Sequence, residues 1–210
     1  CLDTTTTIAA DPVTPPSAGT VEVAITATES AFGVALSGEQ AAAVDVVTSS
    51  ARIAGLVGRA GSGKGVVIHA ASNAYRDEGW QVLACATQGA RAQGLATQTS
   101  GLALTIDQLM HRTSRSRIAV DARTVVFIDE AGMVDTFRMA ELVHLVERTG
   151  CSMRLVGDPA QLSAISPGGL LPSMLATTAV PVAELTEIHR TQHQWIRDAQ
   201  NYVRAGDSLR

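Results

Sequence analysis

Arg52-Ile53-Ala54-Gly55-Leu56-Val57-Gly58-Arg59-Ala60-Gly61-Ser62-Gly63-Lys64-Gly65-Val66 is the stretch on which the fold turns. Residues 52–57 are an apolar run of strand length, 58–65 are rich in glycine, and 66–77 carry alanines and aliphatics at the spacing of a buried helix. Strand, glycine-rich loop and helix in that order form the context of a phosphate-binding loop. Glycines let the backbone curl so that successive N–H groups point inward, and the helix N-terminus adds its positive dipole end. A lysine at the start of the helix can bridge β- and γ-phosphates. Gly58, Gly61, Ser62, Gly63, Lys64 and Gly65 are therefore the nucleotide-binding candidates, with Lys64 also catalytic. A plain strand-to-helix turn with a solvated lysine is the bland alternative, and the flanking elements weigh against it. Position 65 departs from the usual pattern: glycine stands where a Ser or Thr hydroxyl normally reaches Mg²⁺. Ser62 and Thr87 carry other hydroxyls, and Mg²⁺ commonly keeps several waters. The expectation is weaker Mg²⁺ dependence, not loss of ATP binding.

Outward from this loop the element types alternate. Upstream, Leu36 opens a helix of about three turns, because Ser37 and Gln40 match a capping box and Ala42, Val46 and Val47 recur at helical spacing. Downstream, 81–86 (QVLACA) read as a strand, 90–96 and 106–112 as helices, and 124–128 (TVVFI) as a continuous buried strand. An amphipathic helix over 136–148 is stopped by Gly150. A strand at 152–156, a helix at 170–176 and a last strand at 182–185 complete the pattern. Strands alternating with helices give an α/β domain with a mainly parallel sheet flanked by helices, whose ligands bind beyond the strands' carboxyl ends.

Two further strand tips carry polar chemistry. Val125-Val126-Phe127-Ile128-Asp129-Glu130 puts two acids at the end of an apolar strand, where desolvated carboxylates are costly unless they meet a cation. Asp129 is the metal candidate, through water, and Glu130 the group that orients and deprotonates an attacking water. Neighbours on an extended strand point oppositely, so their roles should differ. Read alone, the pair also suits a helix N-cap. Gly157-Asp158-Pro159-Ala160-Gln161-Leu162 follows another apolar strand, and Asp158 and Gln161 would project toward the same crevice; a simple β-turn is the rival reading.

Composition narrows the class. With 46% hydrophobic and 17% charged residues in 210, most of the chain is too apolar for native disorder. No apolar run approaches the roughly 18 residues of a membrane span. A net charge of −4 argues against coating nucleic acid by bulk electrostatics. Cys1, Cys85 and Cys151 lack CxxC or CxxH spacing, which points away from zinc or a disulfide framework and toward a reducing cytoplasm. The strand cysteines read as small buried hydrophobes. Residues 1–35, with the Thr4 to Thr7 run and Pro12, Pro15 and Pro16, read as a linker or disordered segment, with a possible strand over 20–28. A start at Cys1 reads as a fragment or excised domain rather than a lipoprotein. Arg112, Arg115, Arg117 and Arg123 form the clear basic cluster, either a strand-phosphate contact or a solvated loop, with few aromatics suited to base stacking. The dispersed histidines His69, His111, His144 and His193 carry no assigned role.

LSGEQ at 36–40, GRAGSGK at 58–64, ATQGARA at 86–92, TIDQLMHR at 105–112, VVFIDEAGMVD at 125–135, GDPAQL at 157–162 and LTEIHR at 185–190 resemble, in order, the motifs of RecD-like superfamily 1 DNA helicases. The wording is nearest to the helicase part of TrwC/TraI-type conjugative relaxases. The resemblance covers about residues 36 to 205 and implies a RecA-like ATPase domain over 36–210, the first motor domain of a helicase. It implies that Gln40 contacts adenine, Thr87 and its neighbours touch single-stranded DNA, Gln161 couples nucleotide to DNA, and Arg190 meets the γ-phosphate. A guanidinium suits the spread charge of a transferring phosphoryl group independently. The implied cofactors are ATP and Mg²⁺, and the implied partners are single-stranded DNA, weakly bound by this piece alone, and a second RecA-like domain, with no membrane. No tyrosine nucleophile with a histidine metal cluster is visible, so nicking of DNA is not expected. An ATP-binding regulatory module with little turnover is the rival from the binding class. A small-molecule kinase would leave GDPAQL and the acid pair unexplained.

Overall fold

In a computed structural model, residues 12–158 and 180–187 are described. The elements in chain order are α1 (Ala18–Phe32), α2 (Gly38–Val47), β1 (Ile53–Gly58), α3 (Lys64–Asp77), β2 (Gln81–Ala86), α4 (Gly89–Thr99), β3 (Leu102–Thr105), α5 (Ile106–Ser114) and β4 (Thr124–Ile128). A 3₁₀ turn (Ala131–Met133), α6 (Thr136–Thr149), β5 (Ser152–Gly157) and β6 (Val182–Leu185) follow. The six strands form one sheet in the order β3-β2-β4-β5-β1-β6, and every pairing is parallel. This is the RecA-like α/β phosphate-binding-loop fold.

β4 shows why its sequence is apolar without interruption. Val126 and Ile128 enter one core with β-strand neighbours Ile53, Leu83 and Met153 and with Met139, Leu142 and Val143 of α6. Val125 and Phe127 enter the other, against Leu56, Val156 and helical residues of α1 to α4. Helices cover both faces, so no position of the strand meets water. Caps bound the helices much as the residue types dictate. Ser37 and Gln40 close a reciprocal box at α2, Thr105 and Gln108 do the same at α5, Asp135 accepts from Arg138 N at α6, and Gly150 ends α6 in the left-handed region at φ 71°.

Two stretches differ from expectation. The segment 18–32, expected as part of a linker with a strand over 20–28, is helix α1. Ser17 caps it by accepting from Thr20 N, Gly33 ends it at φ 65°, and Val21, Ala24 and Thr28 are buried at helical spacing. Thr20 Oγ1 also donates to Glu78 Oε1 at 2.7 Å, tying the helix start to the end of α3. Packing against α3 overrides the β-propensity of its valines and threonines. Residues 102–105, given no element from sequence, form the short edge strand β3 beside β2. The helix expected over 170–176 lies outside the described residues.

Arg154, in the middle of β5, is buried. Its guanidinium donates to the carbonyls of Val47, Ser49, Arg52 and Met153 and to Tyr75 Oη, and lies 5.7 Å from the Tyr75 ring centroid. Tyr75 Oη in turn donates to the Val47 carbonyl at 3.1 Å. A cation thus satisfies the carbonyls at the end of α2, where the helix dipole is negative. Arg154→Met is expected to lower unfolding free energy by roughly 3 kcal/mol, and Tyr75→Phe by about 1 kcal/mol, read from urea midpoints.

His69 on α3 receives α1. Asn73 Nδ2, which can only donate, lies 3.3 Å from His69 Nδ1, Thr28 Oγ1 lies 3.0 Å from the same nitrogen, and Phe32 meets the imidazole edge-on at 5.1 Å. Both contacts suit a neutral ring whose Nδ1 accepts. Burial, with Arg76 adding to it, holds the His69 pKa below its ordinary 6.5. The depressed value means this contribution is complete above 6.5 and fades as pH falls through the lower folded value. Thermal midpoints between pH 7.5 and 5.5 should fall with acid, and the fall should be shallower in His69→Asn.

Candidate nucleotide site

The loop at 58–64 begins at the carboxyl tip of β1. A Cβ on Gly58 would lie 2.6 Å from Ser62 Oγ and 2.9 Å from Leu185 Cβ, so only glycine fits where the loop doubles back on β6. Gly61 and Gly63 take left-handed φ values of 85° and 90°. Gly63 occupies the N-cap of α3 with no side-chain cap, which leaves the helix start to the cavity rather than to a protein hydroxyl. Lys64 Nζ reaches back over the loop to the carbonyls of Gly58 and Arg59, the latter at 3.1 Å.

Asp129 and Glu130 stand at the tip of β4. Asp129 N donates to Cys85 O at 2.9 Å, extending the β2 ladder by one residue, and Asp129 Oδ1 accepts from Glu130 N at 2.9 Å. Glu130 has φ 51°, a left-handed conformation uncommon for a residue with a side chain. The strand ends at Ile128, and Asp129 and Glu130 both line one cavity. Glu130 Oε1 is paired with Arg91 Nε of α4 at 3.2 Å, between a glutamate side chain 14% exposed and an arginine 61% exposed.

That cavity, about 560 Å³, is bounded by residues from three neighbouring strand tips. Gly61, Gly63, Lys64 and Gly65 come from beyond β1, Asp129 and Glu130 from beyond β4, and Gly157 and Asp158 from the end of β5. Ser62 of the same loop is buried, with its Oγ close against Gly58. Gln40 is buried; its Oε1 accepts from Ser37 N at 3.0 Å and its Nε2 donates to Ser62 O at 3.4 Å, bracing the loop from behind. Gln161 and Arg190 lie outside the described residues. Among the described residues no cluster of three His, Cys, Asp or Glu side chains could enclose a metal. The donor set fits Mg²⁺ nonetheless, because that ion takes one or two carboxylates and completes its shell with water and phosphate oxygens.

Phe32, Arg91 and Gln98 also line the cavity; Arg91 falls within the ATQGARA stretch without an assigned role, and nothing in the local sequence singles out Phe32 or Gln98. Phe32 arrives on a helix read as linker, and Gln98 follows from the packing of α4 on α3. Glu39 was missed too. Its Oε1 accepts from Thr186 N and Oγ1, both at 2.8 Å, and its Oε2 from Glu187 N at 3.2 Å, fastening α2 to the chain beyond β6.

Thr87 is exposed at the carboxyl tip of β2. The basic cluster is elsewhere: α5 runs from the tip of β3 back toward the amino end of β4, so Arg112, Arg115 and Arg117 are exposed at the opposite edge of the sheet. Arg123 bonds the Glu78 carbonyl and lies 5.9 Å from the Trp80 ring centroid. Cys85 and Cys151 are buried free thiols, pushed by desolvation to about 12 and about 11. Among the described residues no helix is long and apolar enough to cross a membrane.

Comparison with known proteins gives a consistent picture. The AAA domain family matches residues 35–210. The conjugal transfer protein TraA of Agrobacterium fabrum is 38% identical over 164 residues, covering 78% of this chain and 15% of TraA. The ATP-dependent RecD2 DNA helicase of Deinococcus radiodurans is 28% identical over 159 residues, covering 74% of this chain and 22% of its own length. The crystal structure of Pif1 helicase from Candida albicans shares the fold with a TM-score of 0.60 at 24% identity, covering 81% of this chain and 44% of that one. The chain thus spans less than a quarter of the length of these two curated relatives.

The close approach at Gly58 makes a direct test of the loop. Gly58→Ala should lower stability by about 1–3 kcal/mol through overpacking against Ser62 and Leu185. It should also weaken binding of a fluorescent ATP analogue, measured by titration at a temperature where the variant remains folded.

Proposed function

This chain belongs to the AAA domain family, as a superfamily 1 helicase domain related to conjugative relaxases; on that premise we propose that it is the ATP-hydrolysing first motor domain of a DNA helicase. In this reading it couples hydrolysis to movement along single-stranded DNA, within a larger conjugative protein that supplies the second RecA-like domain. One observation carries the reading: Lys64, from beyond β1, and Asp129 and Glu130, from beyond β4, line a single cavity.

The chemistry follows from the residue types. The loop N–H groups and the α3 N-terminus bind the phosphates, and Lys64 exchanges its loop carbonyls for β- and γ-phosphate oxygens. Asp129, through water, is the residue that would hold Mg²⁺ together with the phosphates, and the ion would supply positive charge against that developing on the leaving group. Glu130 orients a water and takes its proton as the oxygen attacks the γ-phosphorus and the bond to the β-phosphate oxygen breaks, releasing ADP. Gln161 is assigned to sensing the γ-phosphate or the water, and Arg190 to the equatorial oxygens. Gln40 sits on the adenine side by resemblance. Thr87, exposed at the same edge of the sheet as the cavity, faces the strand of DNA. Two buried reduced thiols suit a cytoplasmic setting.

The Arg91–Glu130 pair favours a second reading, an ATP-binding module with little turnover, because it occupies the group assigned as base. ATPase rates with and without single-stranded DNA separate the two. The motor reading expects DNA to raise the rate, and Glu130→Gln to lower it by about 10² or more while ATP binding persists. Binding of ATP with a rate unchanged by DNA and by Glu130→Gln supports the regulatory module instead.

A further inference from the structure

Gly65 lacks the hydroxyl that the loop normally offers to the cation, yet the place that a side chain would take there is not open. A Cβ on Gly65 would lie 3.2 Å from Gln98 Oε1, 3.4 Å from its Cδ and 3.7 Å from its Nε2. The first atoms met along that direction are therefore a carboxamide, with its oxygen foremost. Gly65 and Gln98 both line the cavity that holds Asp129, Glu130 and Asp158.

We infer that Gln98 supplies the polar oxygen that Gly65 does not, its carboxamide standing in for the loop hydroxyl toward the water shell of nucleotide-bound Mg²⁺. The inference rests on the reading of this cavity as an Mg·ATP site. Three physical points carry it. An amide carbonyl oxygen is a hard acceptor of the type that Mg²⁺ and its waters select. The two groups compete for one place, because a Cβ at 65 would meet the amide oxygen at 3.2 Å and the Gln98 side chain would have to give way by a few tenths of an ångström. Finally, Gln98 is on α4, so the polar group is positioned by packing of α4 on α3 and not by the loop backbone. Outer-shell partners of this kind alter metal affinity by about 10–100-fold when removed.

The test uses the whole chain with mantADP as the probe, comparing affinity in EDTA and across a Mg²⁺ titration, with Mn²⁺ binding to the mantADP complex followed by electron paramagnetic resonance. Gln98→Met keeps the length and removes the oxygen. It should leave affinity in EDTA unchanged and raise the Mg²⁺ midpoint roughly tenfold. Gln98→Glu, which keeps an oxygen there, should hold or lower the midpoint. Gly65→Thr should lower the midpoint more in a Gln98→Ala background than in the native one, where it must displace the amide. Thermal midpoints without Mg²⁺ control for folding. A Gln98→Met midpoint within twofold of wild type, or equal effects of Gly65→Thr in both backgrounds, overturns this inference while leaving the nucleotide site standing. Failure of the wild-type chain to bind mantADP in either condition overturns both.

Discussion

Parallel pairing of β4, β5 and β1 is the constraint on which the site depends. With Ile128 opposite Leu155 and Leu56 opposite Val156, all three strands run the same way and finish at one edge. Neighbouring strands lie only about 4.8 Å apart, so residues just past their tips are within reach of one triphosphate. The apolar strands contribute no chemistry themselves. Their burial on both faces fixes the register, and the register decides that Lys64 and the acid pair share a cavity. A slip of one residue in β4 would exchange its two cores and carry Asp129 away with them.

Charge at this edge is arranged for partners of both signs. Carboxylates at the end of a buried strand are tolerable only with compensation. Arg91 supplies some of it to Glu130 from α4, although an arginine this exposed is screened by water and holds its partner weakly. The pair is thus a reversible restraint and not a structural bond. Deep in the sheet the logic is the reverse: Arg154 is enclosed, bonded to carbonyls on several sides, and has no freedom to serve a ligand. Two arginines of the same intrinsic charge therefore do opposite work because of where the fold puts them.

What was legible in the sequence follows from the range of the interactions involved. β4 and the Ser37–Gln40 box could be read because their signals are local, an unbroken apolar run and two side chains three residues apart. The segment 20–28 was misread because its valines and threonines favour strands locally, while the buried Val21, Ala24 and Thr28 face a helix that local sequence cannot reveal. β3 is short and at an edge, with its pairing to β2 as the main support. In the site, the glycine pattern and the acid pair announced themselves. The left-handed turn at Glu130 did not, since nothing in an Asp-Glu dipeptide marks it. Gln98 and Phe32 reach the cavity through helix packing alone.

Several residues within the motif-like stretches work on the fold before they work on any ligand. Thr105 and Gln108 of TIDQL close a capping box, and Gln40 both caps α2 and braces the carbonyl of Ser62 under the phosphate loop. Glu39, its neighbour, clasps the backbone at Thr186 and Glu187, three residues before Arg190 in sequence. LSGEQ is therefore a junction. One side chain supports the loop that would hold phosphate, and the next secures the chain leading to the arginine assigned to the same phosphate. Both groups belong to one turn of α2, so that turn is tied both to the phosphate loop and to the chain just beyond β6.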